Sequence, residues 1–154
     1  MRNIFSEFFK KNKNKDEKIY YSQNGEDILL LNLANRLKFD QSKKIYLDIG
    51  ANAPKFLNNT FLMYQNGYKG VLIEPDPTLC VKLKVEREMD LTLNVGVGSS
   101  GTEEFYILNN NTLNTFSKTE AEAYCNMDRG YKIVSKENIE LVDVNSVISK
   151  HFDS

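Results

Sequence analysis

A chain of 154 residues falls in the range of a single domain, about 100–200 residues. Its 20 Lys and Arg against 21 Asp and Glu leave a formal net charge of -1, so no global field draws it to nucleic acid or to an anionic membrane. No apolar run approaches the roughly 20 residues that a membrane helix needs. Two distant cysteines, Cys80 and Cys125, and one histidine, His151, argue against a metal site or a disulfide and for a reduced, cytoplasmic setting.

The first segment, residues 1–18, combines Phe5, Phe8 and Phe9 with Lys10, Lys11, Lys13 and Lys15. It reads as a short amphipathic helix and a solvated tail, with surface or partner docking as the alternative. Glu7 and Lys10 interrupt its apolar stretch, which does not read as a signal-peptide core. Residues 19–154 read as one domain, with no internal repeat and no linker.

In YYSQNGEDILLLNLANRL, Leu30, Leu33, Ala34 and Leu37 recur at helical spacing and predict a buried face. Asn24 is the expected cap, and Glu26 and Asp27 suit the positive end of the helix. KKIYLDIG then reads as a buried parallel strand. LNNTFLMYQNG predicts a helix that starts near Asn58 or Asn59 and stops at Gly67. GVLIEPD is a second strand, closed by Pro75 and Pro77. PTLCVKLKVERE is a helix with Leu79, Leu83 and either Val81 or Val85 facing inward, and LTLNVGVG is a third strand. This rhythm predicts an α/β fold of the Rossmann-like kind, a parallel sheet covered by helices on both faces. Farther on, TEEFYILN reads as an edge strand, NNNTLNTFS as polar loop, KTEAEAYCNM as a short helix, KENIELVDV as a strand and VNSVISKHF as the last helix.

Ligands of open parallel sheets bind beyond the carboxyl ends of the strands. That places Asp48, Gly50, Ala51 and Asn52, at the end of the first strand, among the candidate cofactor-binding residues. Gly50 lets a bound molecule approach the backbone; the pentapeptide alone is equally compatible with a plain strand-to-helix turn. Glu74, at the end of the second strand and followed closely by Asp76, is placed to accept hydrogen bonds from both hydroxyls of a ribose. Asn94 and Val95 are candidates for an adenine slot, with ordinary loop chemistry as the alternative. A dinucleotide loop would repeat glycine to cradle a pyrophosphate. Only Gly50 is present here, ahead of Ala51, Asn52, Ala53 and Pro54. A cationic, phosphate-free nucleoside such as S-adenosylmethionine suits this loop better than NAD.

SQNGED at 22–27, YLDIGAN at 46–52, GVLIEPDP at 70–77, LNVGVGSSGTEEFY at 93–106 and TLNTFSKTEAE at 112–122 together resemble the FkbM-type methyltransferases, in order and in approximate spacing. The resemblance implies a class I methyltransferase fold and transfer of a methyl group from S-adenosylmethionine, usually to a hydroxyl of a small-molecule or glycan acceptor. It makes Asp48, Gly50 and Asn52 the first cofactor loop and Glu74 the ribose ligand. It also makes Ser22, Gln23, Glu26 and Asp27 an N-terminal signature, read equally as a cover for the cofactor's methionine end and as a helix cap. The family continues into a strand of the type I-D-x-L-x-I-D-V-E-G, beside the first strand, that does not follow Phe152 here. The expectation is therefore a domain truncated before its fourth core strand, with an open sheet edge that invites a homodimer. No general base is identifiable: His151 reads as a cation at a helix end, and Tyr106, Asn114 and Ser117 could face an acceptor by position only. A non-catalytic binding module and an NAD-dependent oxidoreductase remain the competing readings.

Overall fold

β-Branched and aliphatic residues bounded by turn formers give short strands, and three of these form the core sheet, buried along most of its central strand and exposed at Ile45, Ile49 and Leu91 of the outer two. In the structure, a computed structural model that describes residues 20–37 and 44–152, they are β1 (Ile45–Ile49), β2 (Lys69–Ile73) and β3 (Leu91–Leu93). They pair in parallel in the order β1-β2-β3, with Ile45 opposite Lys69 and Ile49 opposite Ile73. The segment 1–18 expected to form a helix and tail lies outside the described residues.

Alternation along the strands divides the core into two layers. Tyr46 and Leu72 face Ala34, Ala51, Met63, Tyr68 and Leu83 on one side of the sheet. Leu47, Val71, Ile73 and Leu93 face the other side, with Val147 and Phe152. The helices that supply these residues are α1 (Glu26–Arg36), α2 (Phe61–Gln65), α3 (Pro77–Glu86) and, from the end of the chain, α5 (Val144–Phe152). The parallel α/β sheet flanked by helices is as expected.

A second sheet, ordered β4-β6-β5, is built from β4 (Gly96–Val97), β5 (Gly101–Leu108) and β6 (Ile133–Val142), with β4 parallel and β5 antiparallel to β6. β5 is an edge strand, as its alternating pattern predicts. α4 (Lys118–Cys125) covers this sheet through Ala121, packed with Tyr106 and Leu108.

Four local expectations need correction. LTLNVGVG is not one strand: the chain leaves the first sheet after Leu93 and enters the second at Gly96. The inward stripe of α1 is rotated from the predicted one. It runs through Asp27, Leu31 and Ala34, whereas Leu30, Leu33 and Leu37 are 39%, 48% and 56% exposed. The hydrophobic periodicity misled because the buried position in the first turn is a carboxylate: Asp27 accepts from Tyr21 N and Ser22 Oγ, both at 2.7 Å. The N-cap of α1 is Gly25, at φ 86, and not Asn24, whose amide donates instead to Glu26. In α3, Leu79 and Leu83 are buried as predicted, but Val81 and Val85 are exposed and the small Cys80 takes the inner position. α2 begins at Phe61, capped by Thr60, after a turn in which the Asn58 side chain accepts from Thr60 N; Gly67, at φ 80, ends it. Cys80 and Cys125 are free thiols.

Candidate functional site

The carboxyl ends of β1 and β2 open into a cavity of about 550 Å³. Its floor is Ile49, Gly50 and Asn52 from the first strand end and Ile73, Glu74 and Pro75 from the second. The facing wall comes from the second sheet and the turn beyond it: Val97, Phe105, Asn111, Thr112, Asn114, Thr115, Phe116 and Ser117. Glu74 is the only charged residue among the described residues that line it.

The loop after β1 is bent by three left-handed residues, Gly50 at φ 76, Asn52 at φ 56 and, nearer α2, Leu57 at φ 53. The first is natural for glycine, and asparagine tolerates the second better than most residues. The Gly50 and Ala51 amides both donate to Ile73 O, at 2.8 and 3.1 Å, which closes the loop onto β2. A Cβ on Gly50 would meet nothing within 4 Å, so the backbone there is open to a ligand. Glu74, only 4% exposed, accepts from Asn52 N through Oε2 at 2.7 Å and from Asp76 N through Oε1 at 2.8 Å. Burial pushes its carboxyl above the ordinary range; the Asp76 and Asp48 charges push the same way, and the two amide hydrogen bonds oppose.

The other candidate residues stand behind this surface. Asp48 turns to Thr60, whose hydroxyl donates to it at 2.6 Å. Burial raises its carboxyl, against that hydrogen bond and the Arg87 charge. Ala51 is buried, and its carbonyl accepts from Asn58 Nδ2 at 2.8 Å. Asp76 caps α3 by accepting from Thr78 N and Leu79 N, and its other oxygen accepts from Asn114 Nδ2 at 3.1 Å. Asn94 donates to the Glu74 and Pro75 carbonyls, while Val95 joins the apolar layer. The structure thus places Gly50, Asn52 and Glu74 on the cavity, and Asp48, Ala51, Asp76, Asn94 and Val95 in its support. Of the N-terminal signature, Asp27 and Ser22 form the clasp at the start of α1, Glu26 binds the Asn24 amide, and none of the four lines the cavity. Among the positions considered for an acceptor, Asn114 and Ser117 line the cavity; Tyr106 is buried beneath Lys136.

Sequence reasoning reached only Asn114 and Ser117 of the far wall, because Asn109–Ser117 otherwise reads as undifferentiated polar loop. It contains a 3-10 turn (Asn111–Leu113), and Thr115 bridges back to Tyr106 in β5. Asn114 Oδ1 accepts from Leu108 N at 2.9 Å. Gly96 is the legible signal: an added Cβ would lie 2.5 Å from Phe116 Cζ, so a glycine there leaves room for the ring. Arg87, fully buried with Asp90, was also passed over in the run VEREMD.

Among the described residues no group of three His, Cys, Asp or Glu side chains could hold a metal ion, and no helix is long and apolar enough to cross a membrane. No curated protein and no solved structure matches the chain. The family model described as the methyltransferase FkbM domain matches residues 48–153, beginning at the first loop acid and taking in both walls of the cavity. The chain belongs to the FkbM methyltransferase domain family.

Proposed function

We propose that the chain has the class I methyltransferase fold, binds S-adenosylmethionine in this cavity, and transfers the methyl group to a hydroxyl of a sugar or other small secondary metabolite. The observation that carries the reading is the Glu74 carboxylate, presented beside open Gly50 on the floor of a cavity whose described lining has no cation. A carboxylate has about four lone-pair sites. The Asn52 and Asp76 amides occupy two, which leaves acceptors for the two hydroxyls of a ribose. The described lining has no Lys, Arg or His to pair with a pyrophosphate, and the loop lacks the repeated glycines that would cradle one, whereas one buried negative charge favours a cationic nucleoside.

The bound cofactor would supply an electrophilic methyl on a sulfonium. The chain's own residues would bind and orient it: Glu74 through the ribose, the backbone at Gly50 by close approach, and Val97, Phe105 and Phe116 by excluding water. Methyl transfer is an in-line displacement, so alignment supplies much of the rate.

Thermal-shift titration separates the candidates. S-adenosylhomocysteine should raise the melting temperature and NAD should not; the reverse would refute the reading. A labelled-methyl assay against hydroxylated acceptors then tests turnover. Binding without turnover on any acceptor would assign the chain a binding role instead.

A further inference from the structure

We infer that Arg87, acting through Asn58, is a positioning residue that holds the loop between β1 and α2 in its ligand-receiving shape. Its functional part rests on the proposed cofactor reading of that loop. Arg87 follows α3, with its side chain wholly out of solvent. Burial of a guanidinium is costly unless every donor finds a partner, and here all do. Nε donates to Asp90 at 2.9 Å, Nη2 to Tyr46 Oη at 2.7 Å and Thr60 Oγ1 at 3.2 Å, and Nη1 to Pro54 O at 3.0 Å and Asn58 Oδ1 at 3.2 Å. Its plane also lies over the Tyr64 ring, 4.6 Å from the centroid.

The direction of these contacts matters. Asn58, itself 1% exposed, receives Arg87 on its oxygen and passes its own amide to the Ala51 and Ala53 carbonyls, at 2.8 and 3.0 Å. Together with the direct bond to Pro54, the guanidinium therefore grips the loop from behind at three carbonyls. β2 and Glu74 grip the same loop in front, at the amides of Gly50, Ala51 and Asn52. Three left-handed residues in one loop, Gly50, Asn52 and Leu57, persist only where the surroundings over-determine them. Arg87 supplies the rear half of that constraint: its fork holds Asp90 through Nε, Tyr46 and Thr60 through Nη2, and Pro54 and Asn58 through Nη1 at the same time, which the single ammonium of a lysine cannot do.

The test uses the full chain, with Arg87→Lys, Asn58→Asp and, as a stability control on the opposite layer of the sheet, Val147→Ala. Asn58→Asp keeps an acceptor for Arg87 but removes the donor to the loop, so it remains informative should Arg87→Lys fail to fold. Amide hydrogen exchange over residues 50–60 should accelerate by about tenfold or more in Asn58→Asp, and in folded Arg87→Lys, beyond any change in Val147→Ala. The affinity for S-adenosylhomocysteine should fall by about tenfold in the first two variants and stay within about twofold in the third. Wild-type exchange in a folded Asn58→Asp, or equal changes in all three variants, would overturn the inference. A wild-type chain that does not bind S-adenosylhomocysteine, with the exchange pattern as expected, would overturn the cofactor reading and leave the positioning role standing.

Discussion

Asn52 and Glu74 are joined by a hydrogen bond of 2.7 Å from the Asn52 amide to Glu74 Oε2. The bond crosses from the loop after one strand to the end of the next, so the carboxylate both shapes the loop and faces the cavity. This double use makes Glu74 the most informative residue to perturb.

Glu74→Gln should weaken binding of S-adenosylhomocysteine by about 10–100-fold, since a hydrogen bond to a charged group contributes about 1.5–3 kcal/mol. Isothermal titration, with the fold checked by circular dichroism, measures it. An unchanged Kd would remove Glu74 from ribose recognition.

Acidification should move stability and affinity in opposite directions. Glu74 and Asp48 are held above their ordinary values of 4.5 and 3.8, mainly by burial. Between the ordinary and raised values the folded state binds more protons than the unfolded state. Stability therefore rises as pH falls through that window. Glu26, lowered to about 2 by hydrogen bonds led by that of the Asn24 amide, acts only below 4.5 and with the opposite sign. Ribose hydroxyls need the ionised Glu74, so affinity falls across the window in which stability gains. Urea unfolding and ligand titration from neutral pH down to about pH 5 would show both trends; a flat Kd would contradict them.

Gly50→Ala should cost about 1–2 kcal/mol in stability, because a side chain is strained in the left-handed region, which Gly50 occupies at φ 76. Nothing protein-derived lies within 4 Å of the new methyl, so its steric effect falls on the ligand. The expected signature is a modest loss of melting temperature with a larger loss of affinity for S-adenosylhomocysteine.

Gly96→Ala acts from the far wall. Its Cβ would lie 2.5 Å from Phe116 Cζ and 2.6 Å from Leu141 Cδ2, closer than side chains tolerate. Overpacking of this kind costs about 1–3 kcal/mol and displaces the Phe116 ring that lines the cavity. A drop in both melting temperature and affinity is expected; an unchanged affinity would show that the ring does not contact ligand.

The parallel strands and the floor of the cavity were legible because their signals are local. Buried strands are short apolar runs, and the ends of IYLDI and GVLI place Gly50 and Glu74 side by side once the strands pair. The rotated face of α1 was not legible, since burial of Asp27 depends on partners at Tyr21 and Ser22 that no periodicity encodes. Nor was the break between Leu93 and Gly96, where a continuous apolar pattern serves two sheets. Arg87 looked like surface charge because its acceptors other than Asp90, from Tyr46 to Thr60, lie 27 to 41 positions upstream.

Gly70 lies opposite Tyr46 in the pairing of β1 with β2, and a Cβ there would sit 2.1 Å from the Tyr46 carbonyl oxygen. The bare position acts as an index mark that sets the alignment of the two strands. A slip of one place would carry Glu74 roughly 3.3 Å along the strand and turn it to the other side of the sheet. A substitution three residues from the end of β2 would therefore present as a binding defect while leaving every wall residue in its place in the sequence.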